Sequence, residues 1–437
     1  MHDDQTKRSS VACLTCLFAA LAGMCLTLAG LATFLATRPP PTPPTSIAQG
    51  DPTPTPQAGR EPLPSVVLPS PLSSPLASPI AQGAPTPTPQ AGREPLPSVV
   101  LPSPPSSPLA SPTSPPTPTQ LPTATPTPLD FNAIRAGLQA QGQELAFVKI
   151  GFHVGPGGNQ AGLDRYLEAL AAAGVPSFVK CVDDYTWCLQ ALNDDPNSTT
   201  VFRLTGGALE LPDYKLPAEQ SAEHHWARVL EALPPEFDRR TWIELMNEPY
   251  KEHADWLGRF ALHIAQLALR DGYRWAAFGW SSGEPEPEHW ETPAMLEFLA
   301  LASQYPDQIA IALHEYSYSS DTVSHLYPYL IGRFQALFRI CDQHGIPRST
   351  VLITEWGWEA RAMPPVDQAM DDIAWASRLY AAYPQVRGAA IWYLGGGYDQ
   401  ITDQVQQLIA PMREYALWTY FIIEPDQRPI DPSLFQP

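Results

Sequence analysis

Three patterns of apolar and polar positions follow one another along the 437 residues. Residues 11–36 carry no charged side chain, only Leu, Ala, Phe, Met, Cys, Gly, Val and Thr. In 37–129 proline recurs every two or three residues, and no helical or strand period exists. From residue 130 onward, short apolar runs of strand length alternate with amphipathic stretches of helical spacing. Strands are predicted at 146–153, 177–182, 200–205, 241–246, 275–280, 309–314, 351–354 and 388–392. Helices are predicted at 162–173, 218–233, 253–270, 294–304, 323–344, 366–380 and 403–420. The second strand is followed only by the short segment 185–192, the weakest helical signal of the set.

Strand and helix alternating eight times predict a closed parallel barrel, the (β/α)8 TIM barrel. One transmembrane helix and a disordered Pro-rich linker are expected before it. The expected plan is a cytoplasmic tail (1–10), an anchor (11–36), a linker (37–129) and a catalytic barrel (130–437). The apolar run exceeds the roughly 20 residues that span a bilayer. It also exceeds the apolar core of a cleaved signal, about 7–15 residues. Lys7 and Arg8 precede it, which favours a cytoplasmic N-terminus, and Arg38 follows it. A single-pass anchor with the barrel outside the cell is therefore expected, or secretion if the segment is cleaved.

Within the linker, 47–79 recurs almost unchanged as 80–112, differing only in Asp51 against Ala84 and Leu72 against Pro105. A period of this length occurs in stacked helical repeats, but here no apolar stripe exists for stacking. The segment reads as extended polyproline-like spacer that reaches up to roughly 280 Å. Its Ser, Thr and Pro content also fits an O-glycosylated stalk.

Composition adds little until it is divided by region, because 30 of the 52 prolines lie in 39–128. The formal charge of −19 argues against a nucleic-acid partner, since phosphates need clustered Lys and Arg. A neutral polysaccharide or oligosaccharide is compatible with it.

Residues at the C-terminal ends of barrel strands face the substrate. The predicted fourth strand ends in Met246-Asn247-Glu248-Pro249 and the sixth in His314-Glu315-Tyr316. The seventh ends in Thr354-Glu355-Trp356-Gly357-Trp358 and the eighth in Trp392-Tyr393. Breaking a glycosidic bond needs one carboxylic acid to protonate the leaving oxygen and a second carboxylate on the opposite face of the ring. Glutamates on strands four and seven stand across the mouth from each other. Their surroundings must push their pKa values apart, with one carboxyl raised for the acid role. Asn247 is placed to bind a ring hydroxyl, and Trp392 to floor the sugar's C–H face.

Asn-Glu-Pro after one strand and Glu-Trp-Gly three strands later resemble clan A glycoside hydrolases, which are retaining barrel enzymes. His314-x-Tyr316 and Trp392 bring the chain nearest to the family 5 cellulase/mannanase group, over roughly 146–394. The resemblance implies Glu248 as acid/base, Glu355 as nucleophile, Tyr316 orienting Glu355, and His314 supporting the acid/base. It also implies an arginine near the nucleophile, for which Arg203 is the candidate. The chain departs from family 5 there: its arginine falls on the third strand rather than the second. That strand ends in Thr205-Gly206-Gly207 where the family has a histidine. Trp356, Trp280 and His153 complete the expected substrate-binding set.

Blander readings stand beside these. Glu355 could be a structural carboxylate paired with Arg203. His314 and Tyr316 could be satisfied core residues, and Trp280, Trp356 and Trp358 simple packing. Glu315 is expected to point away from the mouth, because neighbours alternate along a strand. Glu244 is expected to neutralise Lys149, Lys180 or Arg203. Zinc-protease, nucleophile-elbow and phosphate-loop motifs are absent, so no metal or cofactor is expected. Cys181 and Cys188 either form a disulfide or remain thiols, with Cys341 left over. A monomer is expected. The rival to an enzyme is a non-catalytic carbohydrate-binding or surface-display protein on the same barrel.

Overall fold

The computed structural model describes residues 99–100, 129–319 and 321–423. The expected anchor and nearly all of the expected linker lie outside the described residues. Among the described residues no helix is long and apolar enough to cross a membrane.

Eight parallel strands close into a barrel. They are β1 (Ile150–Val154), β2 (Phe178–Val182), β3 (Thr199–Arg203), β4 (Trp242–Glu244), β5 (Arg274–Trp280), β6 (Ile309–Tyr316), β7 (Thr350–Gly357) and β8 (Val386–Ile391). Each pairs with the next, and β8 closes on β1 through Ala389 opposite Ile150. Helices lie between successive strands, so the chain is a (β/α)8 barrel of the TIM type.

Alternation along each strand sorts its side chains into two cores. The floor of the lumen is Phe178, Val201, Trp242, Ala276, Ala310, Ala312, Leu352 and Ala390. Phe178 fills space that two glycines leave open. A Cβ on Gly388 would lie 2.1 Å from its ring, and one on Gly151 would lie 1.8 Å from its carbonyl oxygen. The outward positions pack against the helices in a larger apolar shell that holds Phe152, Phe202, Trp275, Trp280 and Trp356.

Three expected elements divide differently. The stretch 146–153 is two strands: Glu144–Ala146 leaves the barrel to pair antiparallel with Tyr420–Ile423, and only Ile150–Val154 enters it. Val99–Val100, from the expected linker, pairs with the other edge of Tyr420–Ile423. The helix expected at 323–344 is a 3-10 turn at Val323–Leu326 and an α-helix at Phe334–Gln343. Pro328 lacks the amide a helix needs, and Gly332 adopts φ +86°, which ends helical continuity between them. The C-terminal helix is Asp399–Gln406 followed by Ile409–Trp418, and Tyr420 then begins a strand.

The short segment after β2 does form a helix, Thr186–Asp194. Phe131–Gln139 forms a helix that the apolar pattern did not announce. Asp130 caps it by accepting from the Ala133 amide at 3.0 Å, and Phe131 packs edge-on against Phe147. Cys181, Cys188 and Cys341 are free, buried thiols, which settles the disulfide alternative against a bridge. Cys188 instead donates to the Val201 carbonyl at 3.3 Å, and burial pushes its thiol well up.

Candidate active site

Above the apolar floor the lumen turns polar. Inward positions two residues further along β2, β3 and β4 carry Lys180, Arg203 and Glu244, all buried. On β7 the register slips by one residue against both neighbours: Leu313 faces Ile353 while His314 faces Glu355, and Ala389 faces Ile353 while Ile391 faces Trp356. Such a bulge lets consecutive residues share one face. Thr354 thereby reaches Glu244 with its hydroxyl at 2.6 Å, and Glu355 still enters the mouth.

Glu355 is enclosed, with its side chain only 7% exposed. Lys180 Nζ donates to its Oε1 at 3.1 Å, and Arg203 Nη2 lies 3.4 Å from the same oxygen. Tyr316 donates its hydroxyl to Oε2 at 2.8 Å, and His153 Nδ1 stands 3.9 Å from Oε1. Burial pushes this carboxyl up, but His314, Lys180, Arg203 and His153 outweigh it and hold it well below the usual carboxylate range. Glu355 is thus a fixed anion. Burial and the Glu355 charge together push the Tyr316 phenol well up, so it stays a donor.

Glu248 is a different carboxylate. Its side chain is 41% exposed, and it shares a hydrogen with His314 Nδ1 at 3.1 Å. Its backbone adopts φ +46°, in the left-handed region that non-glycine residues rarely occupy. Strain of that kind gathers at functional sites. The conformation is held by its amide donating to the Gly279 carbonyl at 2.9 Å. Gly279 itself has φ +67°, and a Cβ there would meet Glu244 Oε1 at 2.8 Å, so only glycine fits.

The His314 hydrogen bond lowers the Glu248 carboxyl against the opposing effect of burial. This differs from the raised value expected for an acid. In return, although burial lowers His314, the carboxylates Glu355, Glu244 and Glu248 raise it above its ordinary value. Each group thus favours the charged form of the other, and the hydrogen between them sits on the His314 side. His314 Nδ1 is 3.1 Å from Glu248 Oε1 and 3.7 Å from Glu355 Oε2, so these two oxygens are at most about 7 Å apart.

Of the remaining expected site residues, Asn247, Trp392 and His153 join the cluster. Asn247 accepts from Arg203 through its side chain, and its amide donates to Glu210 at 3.0 Å. Trp392 is part-exposed, stacks on Tyr393 at 4.4 Å and meets His153 edge-on at 4.9 Å. Trp280 and Trp356 do not join it. Both are fully buried in the shell between strands and helices, Trp280 against Phe278 and Trp290, Trp356 against Trp358. Their positions alternate outward from the mouth, which corrects the expectation that they contact substrate.

Glu315 points outward, as expected, and accepts from Gly332, Phe334 and Tyr380. Glu244 pairs with Lys180 at 2.6 Å, while Lys149 donates elsewhere, to the Tyr380 and Tyr383 carbonyls. Lys180 on Glu355 was missed. Its signal was a lone lysine inside Phe178-Val179-Lys180-Cys181-Val182, a run otherwise apolar enough to demand a buried partner.

No protein-family model matches the chain, and no curated protein matches it. Among solved structures, the chain is similar to a Bacteroides ovatus GH5 xyloglucanase in complex with a heptasaccharide. The two are 12% identical with a TM-score of 0.33, and the match covers 61% of this chain and 75% of that one. It is also similar to a GH128 endo-β-1,3-glucanase from Amycolatopsis mediterranei, 13% identical with a TM-score of 0.28, over 59% and 98% of the two chains. A fructose-bisphosphate aldolase from Campylobacter jejuni is 10% identical with a TM-score of 0.29, over 65% and 78%. Glycosidases and an aldolase share these likenesses, so function has to be argued from the site.

Proposed function

We propose that the protein is a retaining glycoside hydrolase acting on a neutral polysaccharide or oligosaccharide outside the cell. The observation that carries this reading is the unequal pair of carboxylates reached by one imidazole nitrogen. The ceiling of about 7 Å on their nearer oxygens admits the retaining arrangement, about 5–5.5 Å, and excludes most of the inverting range, about 6.5–9.5 Å.

In the first step Glu355 attacks the anomeric carbon as the Glu248–His314 pair delivers a proton to the leaving oxygen. The glycosidic bond breaks and a glycosyl ester forms on Glu355. In the second step Glu248 removes a proton from water, the water oxygen attacks the same carbon, and Glu355 leaves as carboxylate. Tyr316 and Lys180 hold the attacking carboxylate in one orientation, which lowers the entropic cost of reaching the transition state. Trp392 offers an apolar face to the ring. The predicted apolar run at 11–36 tethers the enzyme to the cell membrane, and the proline-rich linker spaces it outward.

The test is covalent trapping. Wild-type protein incubated with 2-deoxy-2-fluoro glycosides of a glucose, mannose and xylose panel should gain one sugar mass on the peptide carrying Glu355. Glu355→Gln should gain none. Wild-type turnover by the Glu355→Gln variant would sink the assignment.

A further inference from the structure

The polar layer beneath Glu355 contains a charge pair that catalysis by two carboxylates does not require. Lys180 Nζ lies 2.6 Å from Glu244 Oε2 and 3.1 Å from Glu355 Oε1, and the lysine and Glu244 side chains are wholly inaccessible. Glu244 also receives the Thr354 hydroxyl at 2.6 Å, and its Oε1 faces His314 Nε2 at 3.9 Å. We infer that Lys180 and Glu244 are a charge-balancing pair for Glu355. Lys180 positions the carboxylate and keeps it ionised, and Glu244 holds that lysine back from neutralising it completely. Lys180 acts through Glu355 and is a positioning residue. The inference rests on reading Glu355 as the nucleophile.

Energetics argue against a purely structural role. Burying an ion pair is often no better than packing apolar residues of the same volume. The floor one layer below shows that this barrel fills its lumen with Phe178, Trp242, Leu352 and alanines where no charge is needed. At the height of Glu355 the lumen holds buried Lys180, Arg203 and Glu244 instead.

The groups facing Glu355 also balance. His153 comes from β1, Lys180 from β2, Arg203 from β3, Glu244 and Glu248 from β4 and its loop, His314 and Tyr316 from β6, and Tyr393 from the end of β8. Two fixed cations, Lys180 and Arg203, meet two fixed carboxylates, Glu244 and Glu355. The His314–Glu248 pair is then left free to carry the exchangeable proton. Without Glu244 the nucleophile would face two unopposed cations and lose reactivity. Without Lys180, Glu355 would face the Glu244 charge across the lumen with one cation fewer, and would take up a proton more readily.

Carboxyl 13C NMR of the full chain labelled with [δ-13C]glutamate tests this without any substrate, with Glu355 assigned by loss of its signal in Glu355→Gln. Lys180→Met should raise the Glu355 titration midpoint by about 1–3 pH units, the usual effect of one close opposite charge. Adding Glu244→Gln to the same chain should bring the midpoint back toward wild type, and Lys180→Arg should keep it low. An unmoved midpoint in Lys180→Met, or no return in the double variant, overturns the charge balance.

Should Lys180→Met fail to fold, Glu244→Gln alone decides: a Glu355 midpoint at or below wild type supports the inference, and a rise overturns it. Failed fluoroglycoside trapping with these midpoints as expected would speak against the glycosidase reading alone. Intact trapping with unmoved midpoints would overturn the charge balance alone.

Discussion

Glu355 and Glu248 stand at the mouth of one barrel, yet they occupy opposite environments. Glu355 is enclosed and meets Lys180, Arg203, Tyr316 and His153. Glu248 is about half open to solvent and meets chiefly His314. A carboxylate clamped by fixed cations cannot easily gain a proton, which suits a nucleophile. A carboxylate sharing one proton with an imidazole can give that proton up and recover it from solvent, which suits an acid/base. The proposed division of labour would follow from burial and neighbours, not from residue type.

The largest expected effect breaks the enclosed half. Glu355→Gln should cost about 10⁴-fold or more in kcat, or over 5 kcal/mol of barrier, because no other group can form the ester. Glu248→Gln breaks the open half more selectively. On glycosides with poor leaving groups it should cost about 10²–10⁴-fold, the usual worth of a general acid. On 2,4-dinitrophenyl glycosides, whose leaving group needs no proton, bond cleavage should slow by less than about tenfold, read as pre-steady-state release of dinitrophenolate. Equal losses on both substrate classes would show that Glu248 is not the acid.

A smaller effect separates His314 from Glu248 by pH. Burial lowers His314, but its three carboxylate neighbours raise it more, so the pair keeps its proton to a pH above the ordinary histidine value. The basic limb of kcat/KM should report that loss. In His314→Gln the proton can reside only on Glu248, a carboxyl, so the limb should move to lower pH. The acidic limb, set by Glu355, should rise toward the usual carboxylate range, because His314 is the largest of the charges that hold that carboxyl down. A basic limb unmoved by His314→Gln would mean that the pair does not share its proton.

These residues differ in how far the sequence exposed them. Glu248 and Glu355 were legible because each lies at or just past the C-terminal end of a strand of an eightfold pattern, and those ends open onto the mouth. Arg203 was legible as a cation near Glu355. Lys180 was not, because its partner lies 175 positions away and only barrel closure brings them together. The break at 327–333 was obscured because apolar residues continue through it, although Pro328 and Gly332 carried the signal. The bulge in β7 could not be read at all. A strict alternation would turn either Thr354 or Glu355 out of the lumen, and only the paired register shows that both face in.

Two tryptophans were misplaced, and the smallest predicted effect follows from where they lie. Trp280 and Trp356 each sit one step from a mouth residue, beside irregular register on β5 and β7. Trp280 is wholly buried against Phe278 and Trp290, at ring-centroid distances of 5.0 and 6.1 Å, so it supports the shell and touches no sugar. Trp280→Phe should therefore leave kcat/KM within about twofold while lowering unfolding stability by about 1–3 kcal/mol, through lost packing. Thermal denaturation and kinetics on the same preparation check it. A tenfold loss of kcat/KM with an unchanged Tm would place Trp280 in the site after all, and would extend the open half of the mouth beyond Glu248 onto β5.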